Sequence, residues 1–334
     1  MIEIQDLYKY YGDRRVVGPL TTTIGQGEIV GLLGLNGAGK TTTLRILACD
    51  LLPTSGSVRV GGLDVVEKPH EVRGQVGYLP DRPPLYDDMT VHEYLGYAAK
   101  LRRVQGSGVE KCVSEAEELT ELGDVRHQLI GTLSHGYRQR VGIAQAIVHR
   151  PAFVVLDEPI SGLDPVQIVE MRELVRSLRG EHTVVVSSHI LTEISETCDR
   201  ILVIKDGEIR WQGSEADLSS QLSQGMRVQI TLRGGEAQAR QVLQGIPAVE
   251  NVETVDAAES GESLVTLVVT AAGDPRDELC RALVGAGIGV LELGRRRELE
   301  GLFLELVSEP VDGERRKKKR RAQEAEPAEQ REEA

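Results

Sequence analysis

Aromatic residues are scarce in this sequence: one Trp, two Phe and eight Tyr, 3% of 334 residues. Any core must therefore be built mainly from Val, Leu and Ile. Cysteine is sparse too. Cys49, Cys112, Cys198 and Cys280 lie far apart, with no C-x-x-C pair and no metal-ligand spacing. That excludes a disulfide framework or a zinc module and predicts reduced, buried thiols in a cytosolic protein. Nowhere is there a run of about 18 apolar residues of the kind that crosses a bilayer. The longest candidate, ALVGAGIGVLEL (282–293), is short, broken by glycine and carries Glu292. The first residues, MIEIQDLYKYYGD, contain acids and no apolar stretch, unlike a signal peptide. Positive charge is in deficit, with 39 Lys and Arg against 52 Asp and Glu and a net charge of -13. This argues against a broad nucleic-acid-binding surface.

What is present, 40% hydrophobic and 27% charged residues, fits a soluble globular chain long enough for two domains and a tail. Short Val/Ile/Leu runs bounded by turn residues recur: GEIVGLLG (27–34), FVVLD (153–157), TVVVSS (183–188) and RILVIKDG (200–207). Near-continuous apolar runs of this length suit strands buried on both faces, hence an α/β fold with a parallel sheet covered by helices. Residues 42–51, 165–179 and 190–197 read as amphipathic helices, and about 83–150 as a helical insertion.

Composition shifts near Gly213. RVQITL (227–232) alternates Val228, Ile230 and Leu232 with polar neighbours. A helix over 236–245, strands near 249–257 and 264–271, a helix near 275–286 and a strand over 288–293 are expected to follow. That β-α-β-β-α-β order predicts a ferredoxin-like α+β domain over 214–309. A last helix carries Leu299, Leu302, Phe303, Leu306 and Val307 on one face. From Pro310 to Ala334 the chain holds the basic block RRKKKRR (315–321) and then an acidic end, the composition of a disordered, solvated tail.

GLNGAGKTT (34–42) fits G-x-x-x-x-G-K-[ST], directly after a strand-like run and before a helical one. Gly34, Gly37 and Gly39 let the backbone close around phosphate oxygens with its N–H groups pointing inward. Asn36, Ala38 and Thr42 complete the loop, and the helix start adds its partial positive charge. Lys40 reaches the β- and γ-phosphates, and Thr41 offers a hydroxyl to Mg²⁺. FVVLDEP (153–159) is an apolar strand ending in two carboxylates. Asp157 is placed to hold Mg²⁺, and Glu158 to act as general base or to orient a water. A strand-end acid is common by itself; beside a phosphate loop it is a strong signal. VVVSSHI ends its strand at His189, at the edge where sites of open α/β sheets collect, so His189 is expected to contact the γ-phosphate. In SGLDP (161–165), Asp164 precedes a proline that can open a helix, and it is counted with the nucleotide-contacting residues.

These motifs, in this order, resemble the nucleotide-binding subunit of an ABC transporter over about residues 1–213. The resemblance implies that LSHGY (133–137) is the signature motif. Two subunits would meet head to tail, each ATP lying between one copy's phosphate loop and the other's signature, with Ser134 and the Gly136 backbone as the trans contacts. An exposed helix start is suited to this, since its unpaired amides form an anion site. The usual signature is LSGGQ; here His135 replaces a glycine and Tyr137 a glutamine, and His135 is expected to stay neutral at a helix N-terminus. The glutamine that follows the "VGYLP"-like strand in this family is here Asp81, an acid able to touch Mg²⁺ or its water. The aromatic that stacks on adenine corresponds to Tyr11, with Tyr10 as its neighbouring alternative.

GYLPDRPPLYDDMTVHEYL, LSHGYRQR and GVLELGRRRELEGLFLEL look like the ATPases paired with ABC-2 type permeases, the gliding-motility and drug-export groups. This implies a homodimer or a pairing with a paralogous ATPase, bound to a separate integral-membrane permease on the cytoplasmic face. Residues near 83–105, including Tyr86 and Tyr94, would dock it. An importer ATPase with a ligand-sensing C-terminal domain, or a soluble ABC protein acting on nucleic acid or the ribosome, are the alternatives. Nucleic acid is not the expected partner, because the basic block is followed at once by acids.

Overall fold

A computed structural model describes residues 1–221, 226–233, 235–257, 264–271 and 273–295. These divide near Gln212 and Gly213 into two compact units. The expected helix at Leu299–Val307 and the tail from Pro310 lie outside the described residues.

The first part of the chain runs β1 (Ile2–Tyr11), β2 (Arg14–Ile24), β3 (Ile29–Leu33), α1 (Lys40–Leu47), β4 (Ser55–Val60), β5 (Leu63–Asp64), α2 (Pro69–Gln75), β6 (Val76–Leu79), α3 (Val91–Leu101), α4 (Gly108–Leu119), α5 (His135–Ile147), β7 (Phe153–Asp157), α6 (Pro165–Ser177), β8 (Thr183–Ser188), α7 (Leu191–Thr197), β9 (Arg200–Lys205) and β10 (Glu208–Gly213). A six-stranded sheet has the order β10-β9-β3-β8-β7-β6. Within it β3 pairs parallel with β8, β8 with β7, and β7 with β6. Every residue of β3, β7 and β8 is buried, which is why these strands read as near-continuous apolar runs. The register sets Leu33 beside Ser188 and Asp157 beside Ser187. Three adjacent parallel strands therefore end together, and the segments that leave them start from one edge.

A four-stranded antiparallel sheet, β2-β1-β4-β5, was not expected. Its first strand hides its pattern, because the β1–β2 register shifts three times and Asp6 has φ +44°, so apolar side chains do not alternate regularly. Leu44, Ile46 and Leu47 of α1 share one core with Ile2, Leu7 and Leu20 of this sheet and with Val155 and Val185 of the parallel sheet. The phosphate-loop helix is thus clamped between two sheets by its apolar residues.

The helical insertion appears as α3, α4 and α5. Thr90 caps α3: its N–H donates to Glu93 at 2.9 Å while its own hydroxyl accepts from the Glu93 N–H at 3.3 Å. Tyr94 is buried, with Tyr86 edge-on to it at 6.0 Å and Tyr97 edge-on to Tyr86 at 5.9 Å. The expected docking pair is corrected accordingly, since Tyr94 is core and the exposed rings are Tyr86 and Tyr97. The four cysteines form no disulfide; Cys49 is buried and the other three are only half-buried, fewer buried thiols than the composition suggested.

His149 follows α5, and its burial, with Arg102 close by, pushes its pKa from the usual 6.5 down to about 4. The fold holds this imidazole neutral, whereas the unfolded chain protonates it below pH 6.5. Its contribution to stability is therefore complete above pH 6.5 and is lost as pH falls toward 4. Replacing it by Gln should flatten the pH dependence of the urea midpoint in that window, a change on the order of 3 kcal/mol.

The second unit begins with α8 (Glu215–Gln221) and continues through β11 (Met226–Arg233), α9 (Glu236–Gln244), β12 (Val249–Ala257), β13 (Leu264–Ala271), α10 (Arg276–Gly285) and β14 (Gly289–Arg295). Its sheet has the order β12-β13-β11-β14, with each neighbouring pair antiparallel. Val228, Ile230 and Leu232 face a core that includes Ala239 and Leu243 of α9 and Leu279 and Leu283 of α10. The period-2 pattern of the sequence is the inner face of this sheet.

Candidate functional site

The segment after β3 turns sharply into α1. Gly37 (φ +85°) and Gly39 (φ +103°) hold left-handed backbone there, and a Cβ on Gly39 would lie 2.7 Å from the Val16 carbonyl oxygen. Only glycine fits such a conformation and approach. Lys40, 6% exposed, donates to the Gly34 carbonyl at 2.8 Å and lies 3.2 Å from Glu158 Oε1. Gly34 packs against the Ile204 carbonyl, and Ala38 is buried, its carbonyl accepting from the Gly207 N–H. Those two residues shape the loop from behind.

Asp157 ends β7 and Glu158 follows it. Glu158 has φ +50°, a left-handed conformation that costs a non-glycine residue about 1–3 kcal/mol and is found where a site requires it. Ser187 ties the pair together, accepting from the Glu158 N–H at 2.9 Å and donating to Asp157 Oδ1 at 2.7 Å. Burial raises the Asp157 pKa, hydrogen bonds from Ser187 and Thr41 oppose the rise, and Glu158 and Asp81 add to it. Asp157 Oδ2 is buried and has no hydrogen-bond partner among the described residues. A buried carboxylate oxygen left unpaired, beside a threonine hydroxyl and near two more acids, suits a hard divalent cation. The residues therefore fit Mg²⁺: Asp157 and Thr41, with Asp81 across the same opening, would hold it.

His189 leaves β8 and places Nδ1 2.9 Å from Glu158 Oε2. An ionised carboxylate only accepts, so Nδ1 carries the hydrogen and Nε2 is the ring atom left for another group. Asn36, Gly37, Gly39, Lys40, Thr41, Thr42, Asp81, Glu158 and His189 line a single cleft of about 480 Å³. A larger cleft of about 1050 Å³ lies among α4, α5 and α6, rimmed by six glutamates, and holds none of the expected nucleotide-site residues.

Gly34, Ala38 and Asp157 do not line this cleft, and neither do Tyr11 and Asp164; Ser134 and Gly136, expected at the partner's nucleotide, also lie outside it. Tyr11, 47% exposed at the end of β1, has Lys9 5.4 Å over its ring, and Tyr10 stacks on Tyr8; Arg14 and Val16 line the cleft instead. Asp164 caps α6, accepting from the N–H groups of Val166 and Gln167 at 3.0 and 2.9 Å. Ser134 caps α5, accepting from the Tyr137 N–H at 3.4 Å, and Gly136 packs against Gln167. Sequence reasoning missed Ser187 and Ser161, the latter also lining the cleft. Ser187 sits two residues before His189, and a polar pair ending an all-apolar strand was the available signal.

The family profile described as "ABC transporter" matches residues 17–161. Among curated relatives, "Uncharacterized ABC transporter ATP-binding protein YxlF" of Bacillus subtilis is 38% identical over 221 residues, 66% of this chain and 73% of that protein. "Bacitracin transport ATP-binding protein BcrA" of Bacillus licheniformis is 38% identical over 63% of this chain and 68% of its own length. Among solved structures, one described as "Dimeric Structure of MJ0796, a Bacterial ABC Transporter Cassette" is 26% identical, with a TM-score of 0.59 over 64% of this chain and 98% of that one. A second structure of that cassette is described as bound to ADP and Pi.

Proposed function

The chain belongs to the ABC transporter ATP-binding proteins, and from that premise we propose that it is the ATP-hydrolysing subunit of an ABC-2 type exporter, working as a head-to-tail dimer on a separate membrane permease. Its first unit is an ABC ATP-binding cassette, an ATPase coupled to transport. The observation that carries the catalytic part is the convergence of Lys40, Thr41, Glu158 and His189 on one cleft at the ends of adjacent strands.

In this reading the loop amides and Lys40 hold the β- and γ-phosphates, and γ-phosphate binding draws Lys40 away from Glu158. Glu158 orients the attacking water and takes its proton. His189 fixes the Glu158 carboxylate through Nδ1 and turns Nε2 toward the γ-phosphate. Bound Mg²⁺ would neutralise charge on the phosphate oxygens. Tyr11 stacks on adenine, Asp81 faces the metal's water, and Asp164 presents the α6 start near the nucleotide. Ser134 and the Gly136 amide complete the partner's site, supported by Ser134 standing exposed at the start of α5, outside the cleft of its own chain.

The domains are assigned as 1–213 for the cassette, 214–309 for a ferredoxin-like unit and 310–334 for a charged tail. The ferredoxin-like reading is supported by the β-α-β-β-α-β order and the β12-β13-β11-β14 arrangement. Among the described residues no helix is long and apolar enough to cross a membrane, and we place the subunit peripherally on the cytoplasmic face. The exposed Tyr86 and Tyr97 rings give it an apolar contact for the permease. Two relatives named for bacitracin transport and the export-type motif variants favour export. Tagged Glu158→Gln protein, recovered with ATP from detergent-solubilised membranes of its own host, should bring down a multi-spanning membrane protein. Recovery of ribosomes or nucleic acid instead would overturn the transporter reading and leave the nucleotide chemistry standing.

A further inference from the structure

We propose that His135 is a positioning residue that ties the start of α5 to the loop carrying Glu158, so that one nucleotide site of the dimer is coupled to the other. The inference rests on the head-to-tail reading above. His135 Nε2 lies 3.1 Å from the carbonyl oxygen of Ser161. A carbonyl only accepts, so Nε2 carries the hydrogen and donates it. Ser161 in turn donates its N–H to the Glu158 carbonyl at 3.1 Å, and it lines the cleft with Lys40, Glu158 and His189. Two hydrogen bonds therefore connect the first residue of α5 to the backbone of Glu158.

That backbone is sensitive to how it is held. Glu158 has φ +50°, so the direction of its carboxylate depends on contacts that keep the loop in a conformation it would otherwise leave. The next turn is fitted to the imidazole: Gly162 has φ +76°, and a Cβ there would sit 3.3 Å from His135 Nε2. The glycine usual at position 135 has no side chain and could not make this bond. In the dimer the start of α5 faces the partner's nucleotide, whereas Ser161 faces that of its own chain. The imidazole spans the distance between the two.

Mixed dimers isolate this path. One subunit carries Lys40→Ala and loses its own site, so only the other subunit hydrolyses ATP, at the site closed by the first subunit's α5. The His135 of the hydrolysing subunit then lies at the inactive site, away from the reacting phosphate. His135→Ala placed on that hydrolysing subunit should lower kcat about three- to tenfold with KM little changed, the effect of one lost positioning hydrogen bond. His135→Gln, which keeps a donor, should recover most of the loss. His135 is exposed, so these variants are expected to fold. A loss seen only when the substitution sits on the Lys40→Ala subunit, or on neither, overturns the inference. Ser134→Arg is the control: it should inactivate the dimer only from the Lys40→Ala subunit. Equal inactivation from both placements would overturn the head-to-tail reading, and this inference with it.

Discussion

Glu158→Gln should lower kcat by about a hundredfold or more, the scale of losing a general base, without weakening ATP binding. Glu158 Oε1 lies 3.2 Å from Lys40 Nζ, and Oε2 receives His189 Nδ1 at 2.9 Å. Glutamine keeps the shape and a carbonyl oxygen but cannot take a proton from water. It also removes a negative charge that competes with the γ-phosphate for Lys40, so the Kd for MgATP should stay the same or tighten. A variant that binds ATP and does not turn it over should also persist as a dimer. Single-turnover hydrolysis and equilibrium binding by fluorescent ATP check the two halves separately. Hydrolysis at the wild-type rate would remove Glu158 from the role of base and leave the cleft without one.

The cleft was legible where chemistry and chain order coincide. Gly34–Thr42 lie in one stretch, and Asp157, Glu158 and His189 each stand at the end of a near-continuous apolar run whose burial on both faces fixes it as an interior strand. Their convergence follows from the neighbouring of β3, β8 and β7, which the sequence only implies. In the small unit, where α8 was missed, β11 to β14, α9 and α10 were read to within about two residues, because its strands have one buried face and so alternate: Val228, Ile230 and Leu232 point inward while Gln229 and Thr231 do not.

Other parts were not legible, for physical reasons. The antiparallel sheet escaped because bulges in β1 break the alternation that reveals a half-buried strand. Ser187 and Ser161 act through hydrogen bonds to residues 29 and 26 positions away, and local sequence carries no mark of such contacts. Asp164 shows a different limit. A carboxylate before Pro165 is equally a helix cap and a ligand contact, and the structure supplies the cap. Tyr94 was taken for surface because its neighbours in VHEYLGYAAKL do not show which tyrosine the helix turns inward.

If two copies share each nucleotide, complementation between two differently damaged subunits restores hydrolysis. Lys40→Ala removes the cation of the phosphate loop. Ser134→Arg fills the start of α5 with a long side chain and removes its cap, excluding the partner's nucleotide by volume while costing the helix only about 1 kcal/mol. Each homodimer should be inactive, since each has two damaged sites. Mixed in equal amounts, the subunits form dimers in which one site has both defects and the other has neither. If they pair at random, activity should return to about a quarter of the wild-type rate, one intact site in half of the dimers. ATPase activity of the mixture, read against both homodimers, is the measurement. Recovery toward that level is the result expected. A fully active Ser134→Arg homodimer, or a mixture as inactive as its parts, would contradict the shared site.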